Sequence, residues 1–280
     1  MRSLAEFVMK GRRQAVIAVL LLGLVPLVYF LNPAVVGLVM LRKGFREGIL
    51  VFVWAVLPVG AWAYVGDVWP LLMLLSVTGM SVLLRETESW EFTLLTGILV
   101  GVAGEMYLRL QPQVLDLVFL QLEQYLQSNQ LQGMQLEDLR ELMTGFIGAV
   151  YMFLAVMLLM LARWWQAALF NPGGFQEEFH RLRIGPKAAM VLLAVMLLAN
   201  FGIVVPDTWV LFLVMPLLVA GLAVCHGVVK LKAMSGSWLI ALYALLVFPI
   251  VMQLLVLLAL VDSWYDFRQR IAKPPSPPAE

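Results

Sequence analysis

One acidic and one basic residue lie in an otherwise apolar stretch of the chain. Glu105 and Arg109 are four residues apart, so on a helix their side chains share one face and can form an ion pair. Charged groups inside apolar segments are energetically expensive, and they commonly bind a ligand or carry an ion. The pair is therefore a candidate ligand-binding site. The alternative is an ion pair that only stabilises its helix.

Aromatic and acidic side chains precede this pair and add to the candidate site. Trp54 and Trp62 fall in an earlier apolar segment, and Asp67 follows that segment in a Gly-Asp turn. Together with the ion pair, these residues predict a pocket with an aromatic floor and a charged rim. The alternative is that the tryptophans only mark the edge of a membrane, where such rings concentrate.

A second pair of charges with helical spacing lies near the C-terminus, in the segment DSWYDFRQR. Asp262 and Asp266 could act together in acid–base chemistry, but no partner histidine or metal cluster accompanies them. With Trp264 and Arg268 they are better explained as an anchor at a membrane interface or as a site that docks another protein.

A strong turn signal between two apolar segments marks a second predicted docking site. Its glycine pair could hold an anion at the start of a helix, but the sequence has no phosphate-binding glycine motif. The alternative is a structured loop that packs on the rest of the protein. The residues of this candidate site are Asn171, Pro172, Gly173, Gly174 and Phe175.

The remaining residue types argue against cofactor and metal chemistry. The chain has one cysteine and two histidines, too few for a site built from these ligands, and it has no protease or hydrolase motif. We therefore predict no cofactor, no metal and a role other than catalysis. A net charge of +1 also argues against a nucleic-acid partner.

Composition indicates where the chain must fold. Of the 280 residues, 62% are hydrophobic and 13% are charged, whereas soluble domains carry about 25% charged residues. A soluble fold could not cover so much apolar surface, so a lipid bilayer must do so. The apolar runs predict an all-α, polytopic membrane helix bundle of about eight or nine segments. Pro33–Leu41 is too short to cross a bilayer and predicts a short or broken helix.

The predicted organisation has five parts, one of which is an amphipathic helical insert outside the cytoplasm. The parts are a cytoplasmic N-terminus (1–13), N-terminal membrane segments (14–110), the extracytoplasmic insert (111–143), C-terminal membrane segments with a cytoplasmic loop at 171–187 (144–262), and a polar, partly disordered tail (263–280).

Basic residues predict the orientation, because cytoplasmic loops are rich in Lys and Arg. A cytoplasmic N-terminus places most of these residues inside and the acidic insert outside. An odd number of crossings would then put the basic tail outside, against the rule. Either the tail is an exception or one segment does not cross. The suspects are Pro33–Leu41 and the last segment, which contains Pro249, and the side of the C-terminus stays open.

The chain resembles the YybS-like family of bacterial membrane proteins in three stretches: PAVVGLVMLRKGFREG at 33–48, RWWQAALFNPGGFQEEF at 163–179 and DSWYDFRQR at 262–270. This resemblance implies the architecture and a bacterial inner membrane, without a particular activity. The first half is also similar to the substrate-binding S-components of energy-coupling-factor transporters, in its basic start, first span, Pro-led short helix and basic glycine turn. That similarity implies a small-molecule binder that works with a cytoplasmic ATPase module.

Three classes of function follow from these features. Binding or transport of a small molecule or lipid would need a cavity among the helices. A structural or assembly protein would dock partners through the cytoplasmic loop and the tail. An intramembrane enzyme would need converging titratable groups that the sequence does not display. We expect the first class, with the second as the alternative.

Overall fold

The computed structural model describes residues 2–128, 136–202 and 204–272, and all the regular elements in these residues are helices. The apolar runs become helical because Leu, Ala and Met favour helix and because lipid offers the backbone no other hydrogen-bond partner. The helices of the first half are α1 (Arg2–Met9), α2 (Arg12–Leu24), α3 (Asn32–Lys43), α4 (Phe45–Tyr64), α5 (Trp69–Thr87), α6 (Trp90–Leu110) and α7 (Gln113–Ser128).

The second half continues the bundle with α8 (Leu136–Phe170), α9 (Gly174–Arg181), α10 (Pro186–Asn200), α11 (Val210–Leu231), α12 (Ser237–Leu245), α13 (Pro249–Tyr265) and α14 (Phe267–Ala272). Within the described residues, five helices are long and apolar enough to cross a membrane, namely α4, α5, α6, α8 and α11. Two further pairs of helices, α9–α10 and α12–α13, are bent at a short break, and counting each pair as one span gives up to seven candidate spans. The predicted all-helical architecture is confirmed.

The short helix α3 forms the centre of the N-terminal half. Its residues from Asn32 to Leu41 are all buried, among α2, α4, α5 and α8. Pro33 fits the first turn of the helix, where its missing N–H costs nothing. At the other end, Arg85 donates to the carbonyl oxygens of Met40 (3.3 Å) and Leu41 (2.5 Å). Protein groups thus satisfy the ends of a helix that is too short to reach both membrane surfaces.

Side-chain contacts show which helix ends share one side of the bundle. The start of α2 meets the start of α4 through Arg12 and Glu47, whose side-chain atoms are 2.6 Å apart. The end of α8 meets the end of α3, where Gln166 donates to the Leu41 oxygen at 3.2 Å. The end of α5 reaches the same carbonyl oxygen through Arg85. The starts of α2 and α4 therefore lie at the same end as the C-termini of α3, α5 and α8.

Basic residues concentrate at this end, which we call the basic face. Among the described residues, every lysine and arginine except Arg109 and Arg140 lies on or beside it. At the other end, which we call the opposite face, Tyr29 donates to Asp67 at 3.2 Å and links the turn before α3 to the turn after α4. The bundle therefore has one basic and one mainly acidic end.

The last apolar stretch, one of the two segments suspected of not crossing, is broken into α12 and α13. Phe248 has extended backbone angles because the residue before a proline disfavours helix, and α13 starts at Pro249. The two helices are bent by 115°. The pair starts after α11 at the basic face, and its end returns there, where Arg268 donates to the Leu182 oxygen at 2.8 Å. The chain up to Ala272 therefore ends on the same face as the N-terminus.

The amphipathic insert predicted at 111–143 is helical where it is described. It contains α7, and α8 begins inside it, so the insert and the following span share one continuous helix. Arg140 pairs with Asp116 and joins the two helices. Residues 129–135 lie outside the described residues, as do residues 273–280 of the tail, which the sequence predicts to be disordered.

Gly221 on α11 faces α13 across a close contact. A Cβ at this position would overlap the carbonyl oxygen of Leu255, so Gly221→Ala is expected to destabilise the protein by about 2 kcal/mol. Gly79 on α5 is the control, because nothing lies within 4 Å of a Cβ there. Alanine favours a helix over glycine by up to about 1 kcal/mol, so Gly79→Ala should stabilise the protein. The melting temperature in mild detergent should fall for Gly221→Ala and rise for Gly79→Ala. A shift in the same direction for both variants would contradict the close contact between Gly221 and Leu255.

Candidate functional site

Glu105 and Arg109 form an ion pair on α6, near the opposite face. Oε1 of Glu105 accepts from Nε (2.9 Å) and Nη2 (2.7 Å) of Arg109. The hydroxyl of Thr208, in the turn before α11, lies 3.4 Å from the same oxygen. Glu105 is 1% exposed, and its Oε2 has no hydrogen-bond partner among the described residues. The carboxylate therefore joins α6 to the start of α11 and leaves one oxygen unused.

Arg109 extends from this buried carboxylate to the surface. Its side chain is 45% exposed, and its Nη2 lies 3.3 Å from a carboxylate oxygen of Glu141 on α8. The guanidinium group thus bridges a buried acid and an exposed one. These contacts indicate that the pair holds α6, α8 and α11 together. Of the two carboxylate oxygens of Glu105, Oε2 takes no part in these contacts.

Trp62 and Asp67 belong to a separate cluster. The indole N–H of Trp62 donates to the Gly23 oxygen at 2.9 Å, and Asp67 accepts from Tyr29. Burial and the Asp67 carboxylate raise the pKa of Tyr29. Trp54 is largely exposed on α4. Within the described residues, no hydrogen bond, ion pair or ring contact links this cluster to the ion pair on α6, so the structure does not bring the five predicted pocket residues together.

The C-terminal docking candidates bond mostly to their own chain. Asp262 is 1% exposed and accepts from Nη2 of Arg268 at 2.8 Å. Arg268 also donates to the carbonyl oxygens of His180 and Leu182, each at 2.8 Å. These bonds attach α13 and α14 to the segment that follows α9, so both charges have structural partners.

Arg183 adds a second attachment between the same two segments. It donates to Asp266 at 2.7 Å and to the main-chain oxygen of Ser263 at 2.8 Å. Trp264, in contrast, is half exposed. Of the four docking residues predicted in this segment, Trp264 is the one that presents most of its surface outward.

The loop at 171–175 turns tightly at the basic face. Gly173 has a φ of 88°, in the left-handed region that glycine favours. Gly174 lies so close to Asn171 that a Cβ there would overlap the Asn171 side chain. Phe175 packs on Trp90 with 6.2 Å between ring centroids, which docks the loop on the bundle. The exposed residues of the loop are Asn171, Pro172 and Gly173.

A large cavity, not predicted from the sequence, lies among α8, α9, α11, α12 and α13. Its volume is about 870 Å³, within the range of about 300 to 1,000 Å³ that is typical of ligand pockets. We call it the apolar crevice because its deep part is lined by apolar side chains. These include Phe153, Met157, Met160, Met215, Leu218 and Met252.

The end of the apolar crevice toward the basic face is polar. Nε2 of His226 lies 2.9 Å from the hydroxyl oxygen of Tyr243. The His180 ring lies 6.2 Å from the His226 ring, and Gln176 also lines this end. The crevice is therefore amphipathic, with its hydrogen-bonding groups gathered near one membrane surface.

A second cavity, of about 800 Å³, lies at the basic face between the α5–α6 turn and α9. Its lining mixes carboxylates and guanidinium groups. Arg163 pairs with Glu178 and also bonds to Gln166, while Arg85 bonds to the end of α3. These two arginines hold helix ends together, which makes this cavity a weaker candidate for binding a ligand.

The helices of the structure define the class of protein to which the chain belongs. Long apolar helices identify an all-helical membrane protein in a lipid bilayer. The chain matches no protein-family model, no curated protein and no solved structure. In the part of the chain that the structure describes, no group of three His, Cys, Asp or Glu side chains is placed to hold a metal ion. The site that distinguishes this bundle is the apolar crevice with its polar end.

Proposed function

We propose that the protein binds a membrane lipid in the apolar crevice, as a lipid-binding or lipid-transport protein. The supporting observation is a cavity of ligand size that is apolar along its depth and polar at one end. A lipid has the same distribution, with a hydrocarbon chain and a polar headgroup. A cavity between membrane helices borders lipid chains, so a lipid enters it without leaving the bilayer.

The length of the crevice fits one leaflet of a bilayer. On α11 its lining runs from Met215 to His226, about 16 Å at 1.5 Å per residue. Half of a hydrocarbon core is about 15 Å. The polar end lies toward the basic face, so the headgroup would lie at that surface and the chain would extend toward the middle of the bilayer.

The methionines of the crevice suit a chain of variable shape. Met side chains are flexible and polarisable, and they repack around different ligands. A lipid chain gains little from the hydrophobic effect on leaving the bilayer for the crevice, because lipid tails are as apolar as the crevice wall. Affinity must therefore come from packing along the chain and from bonds to the headgroup.

The proposal places the basic face in the cytoplasm of a bacterial inner membrane. The side rich in Lys and Arg is the cytoplasmic side in such membranes. The N-terminus, the loop at 171–187 and the chain up to Ala272 would then all be cytoplasmic. In this arrangement the chain passes between the two faces eight times, along α2, α3, α4, α5, α6, α8, α10 and α11, and α12–α13 re-enters. The short α3 makes its passage inside the protein and does not itself reach both membrane surfaces.

Of the two sequence resemblances, the similarity to S-components is the one that predicts where a ligand binds. The YybS-like stretches support the inner-membrane architecture. An S-component-like first half would hold a small molecule among α2–α6, whereas the apolar crevice lies in the second half. The position of the bound molecule therefore separates the two hypotheses.

A structural or assembly role is the second candidate. It is favoured by the exposed residues of the loop at 171–173 and by Trp264, all of which lie on the basic face. Such a protein would retain other proteins during purification and no lipid at fixed stoichiometry. The internal bonds of Asp262, Asp266 and Arg268 reduce the surface that remains for a partner.

The test uses a substitution that fills the crevice and a matched one that does not. Leu218→Trp places a large ring in the lining, while Leu211→Trp makes the same change on the exposed surface of the same helix. Native mass spectrometry of the proteins released gently from their own membrane counts retained lipids. We expect the wild type and Leu211→Trp to retain one lipid species, and Leu218→Trp to lose it about tenfold, a loss of about 1.4 kcal/mol.

Equal melting temperatures of the two variants would show that the loss of lipid does not reflect unfolding. Equal lipid retention by both variants would place the bound lipid outside the crevice and contradict the proposal. A wild type that retains only protein partners would favour the assembly role instead.

A further inference from the structure

The polar end of the apolar crevice carries hydrogen-bond donors and positive charge. His180 and His226 line it, and Lys230 follows His226 by one helical turn on α11, so the two side chains share one face. Lys230 is exposed and forms no ion pair with any carboxylate among the described residues. These groups lie at the level where a lipid headgroup would be.

The two charges that act on the His180 ring are both positive. Lys230 and Arg268 both lie close enough to His180 for their charges to act on its ring. The guanidinium group of Arg268 is hydrogen-bonded to Asp262 and to main-chain oxygens, so it is not available to bind a ligand. Of the carboxylates on α9, Glu178 is paired with Arg163, and Glu177 is exposed. Of the two cations that act on His180, Lys230 is therefore the one that is free to meet a ligand.

We infer that the occupant of the crevice is an anionic lipid whose phosphate group binds at His180, His226 and Lys230. This inference rests on the proposed lipid-binding function and names the class of lipid. A histidine N–H and an ammonium group both donate to phosphate oxygens, and the Tyr243 hydroxyl adds another group that can donate. Lys230 serves as a flexible point charge and needs no fixed geometry.

Electrostatics of the membrane favour the same choice. Basic pockets between helices on the cytoplasmic side attract anionic headgroups, and the cytoplasmic leaflet supplies such lipids. A zwitterionic headgroup brings a phosphate too, but its positive group would be repelled by Lys230. The crevice would therefore distinguish the two lipids by net charge, while the apolar wall would accept the chains of either.

The test compares two lipids that differ in headgroup charge. The full-length protein is freed of its own lipid in detergent and placed in nanodiscs of equimolar phosphatidylglycerol and phosphatidylcholine. Native mass spectrometry then gives the ratio of the two lipids that stay bound after gentle release. We expect the wild type to favour phosphatidylglycerol about fivefold, the effect of one cation near the membrane surface.

Two substitutions, each of which removes one positive charge, test whether Lys230 causes this preference. Lys230→Gln should bring the ratio close to one while total bound lipid stays the same. Lys232→Gln removes an equally exposed charge two residues on and should leave the ratio at the wild-type value. If the wild type retains both lipids equally, the anionic headgroup is wrong while lipid binding stands. If the two variants give the same ratio, the assignment of the phosphate to Lys230 is wrong. If the wild type retains no more lipid than Leu218→Trp, the proposed function itself fails.

Discussion

Replacing Arg268 with alanine is expected to destabilise the protein by about 3 kcal/mol, because it leaves a buried carboxylate without its charge partner. Asp262 is 1% exposed and accepts from Arg268 at 2.8 Å. The same guanidinium group also satisfies the carbonyl oxygens of His180 and Leu182. Among the described residues, the other cation near this carboxylate is Arg183, whose Nε lies 3.9 Å from Asp262 and which could compensate in part. The measurement is thermal or denaturant unfolding in mild detergent.

Arg270→Ala is the matched control, two residues away on the same short helix. Arg270 is exposed, stacks on Tyr265 at 4.2 Å and donates to the Tyr265 oxygen at 2.8 Å. An exposed contact of this kind contributes about 1 kcal/mol or less. Protease cleavage after residue 265 should also become faster in Arg268→Ala alone, because α14 loses its attachment to the segment after α9. Similar losses of stability in both variants would show that the buried charge network does not hold the C-terminus.

The sequence was sufficient to predict the class of fold and to find its weak points. Low charge and long apolar runs require helices in lipid, and the two segments suspected of not crossing are the two unusual ones. Pro33 starts a short helix that is buried in the protein, and Pro249 starts the second half of a bent pair. The direction of the chain after the bend could not be predicted, because it depends on the contact of Gly221 with Leu255, distant in sequence.

The same distinction between local and distant contacts applies to the candidate sites. The pairing of Glu105 with Arg109 is visible in the sequence because a helix places residues four apart together. The bonds of Arg268 to His180 and Leu182 join segments more than 80 residues apart, so the sequence pattern alone predicts a membrane anchor or a docking site there and not these internal bonds. The apolar crevice is lined by residues of five helices, and in the sequence its methionines and histidines cannot be told from ordinary core residues.

Arg109→Gln is expected to destabilise the protein by about 3 kcal/mol, and Glu105→Gln by about 1 kcal/mol or less. The difference arises because the two partners are buried unequally. Without Arg109, the buried carboxylate of Glu105 keeps, within the described ranges, only the Thr208 hydroxyl at 3.4 Å. Without the Glu105 charge, Arg109 still has Glu141 and solvent, since its side chain is 45% exposed. Unfolding of the two variants in detergent measures both losses of stability. A loss for Glu105→Gln that equals or exceeds the loss for Arg109→Gln would contradict a buried clamp.

The unequal burial also decides which experiment can reveal a ligand at this pair. Exchanging the two residues would put the longer arginine side chain at position 105, which is 1% exposed, so the exchanged protein should fail to pack even if the pair has no ligand. Glu105→Gln avoids that problem, because it keeps the shape and removes the charge. If this variant folds and loses a bound molecule that Leu218→Trp retains, then the unused Oε2 of Glu105 belongs to a second ligand site. If it folds and retains everything that the wild type binds, the pair is a clamp that positions α11, the helix that lines the apolar crevice.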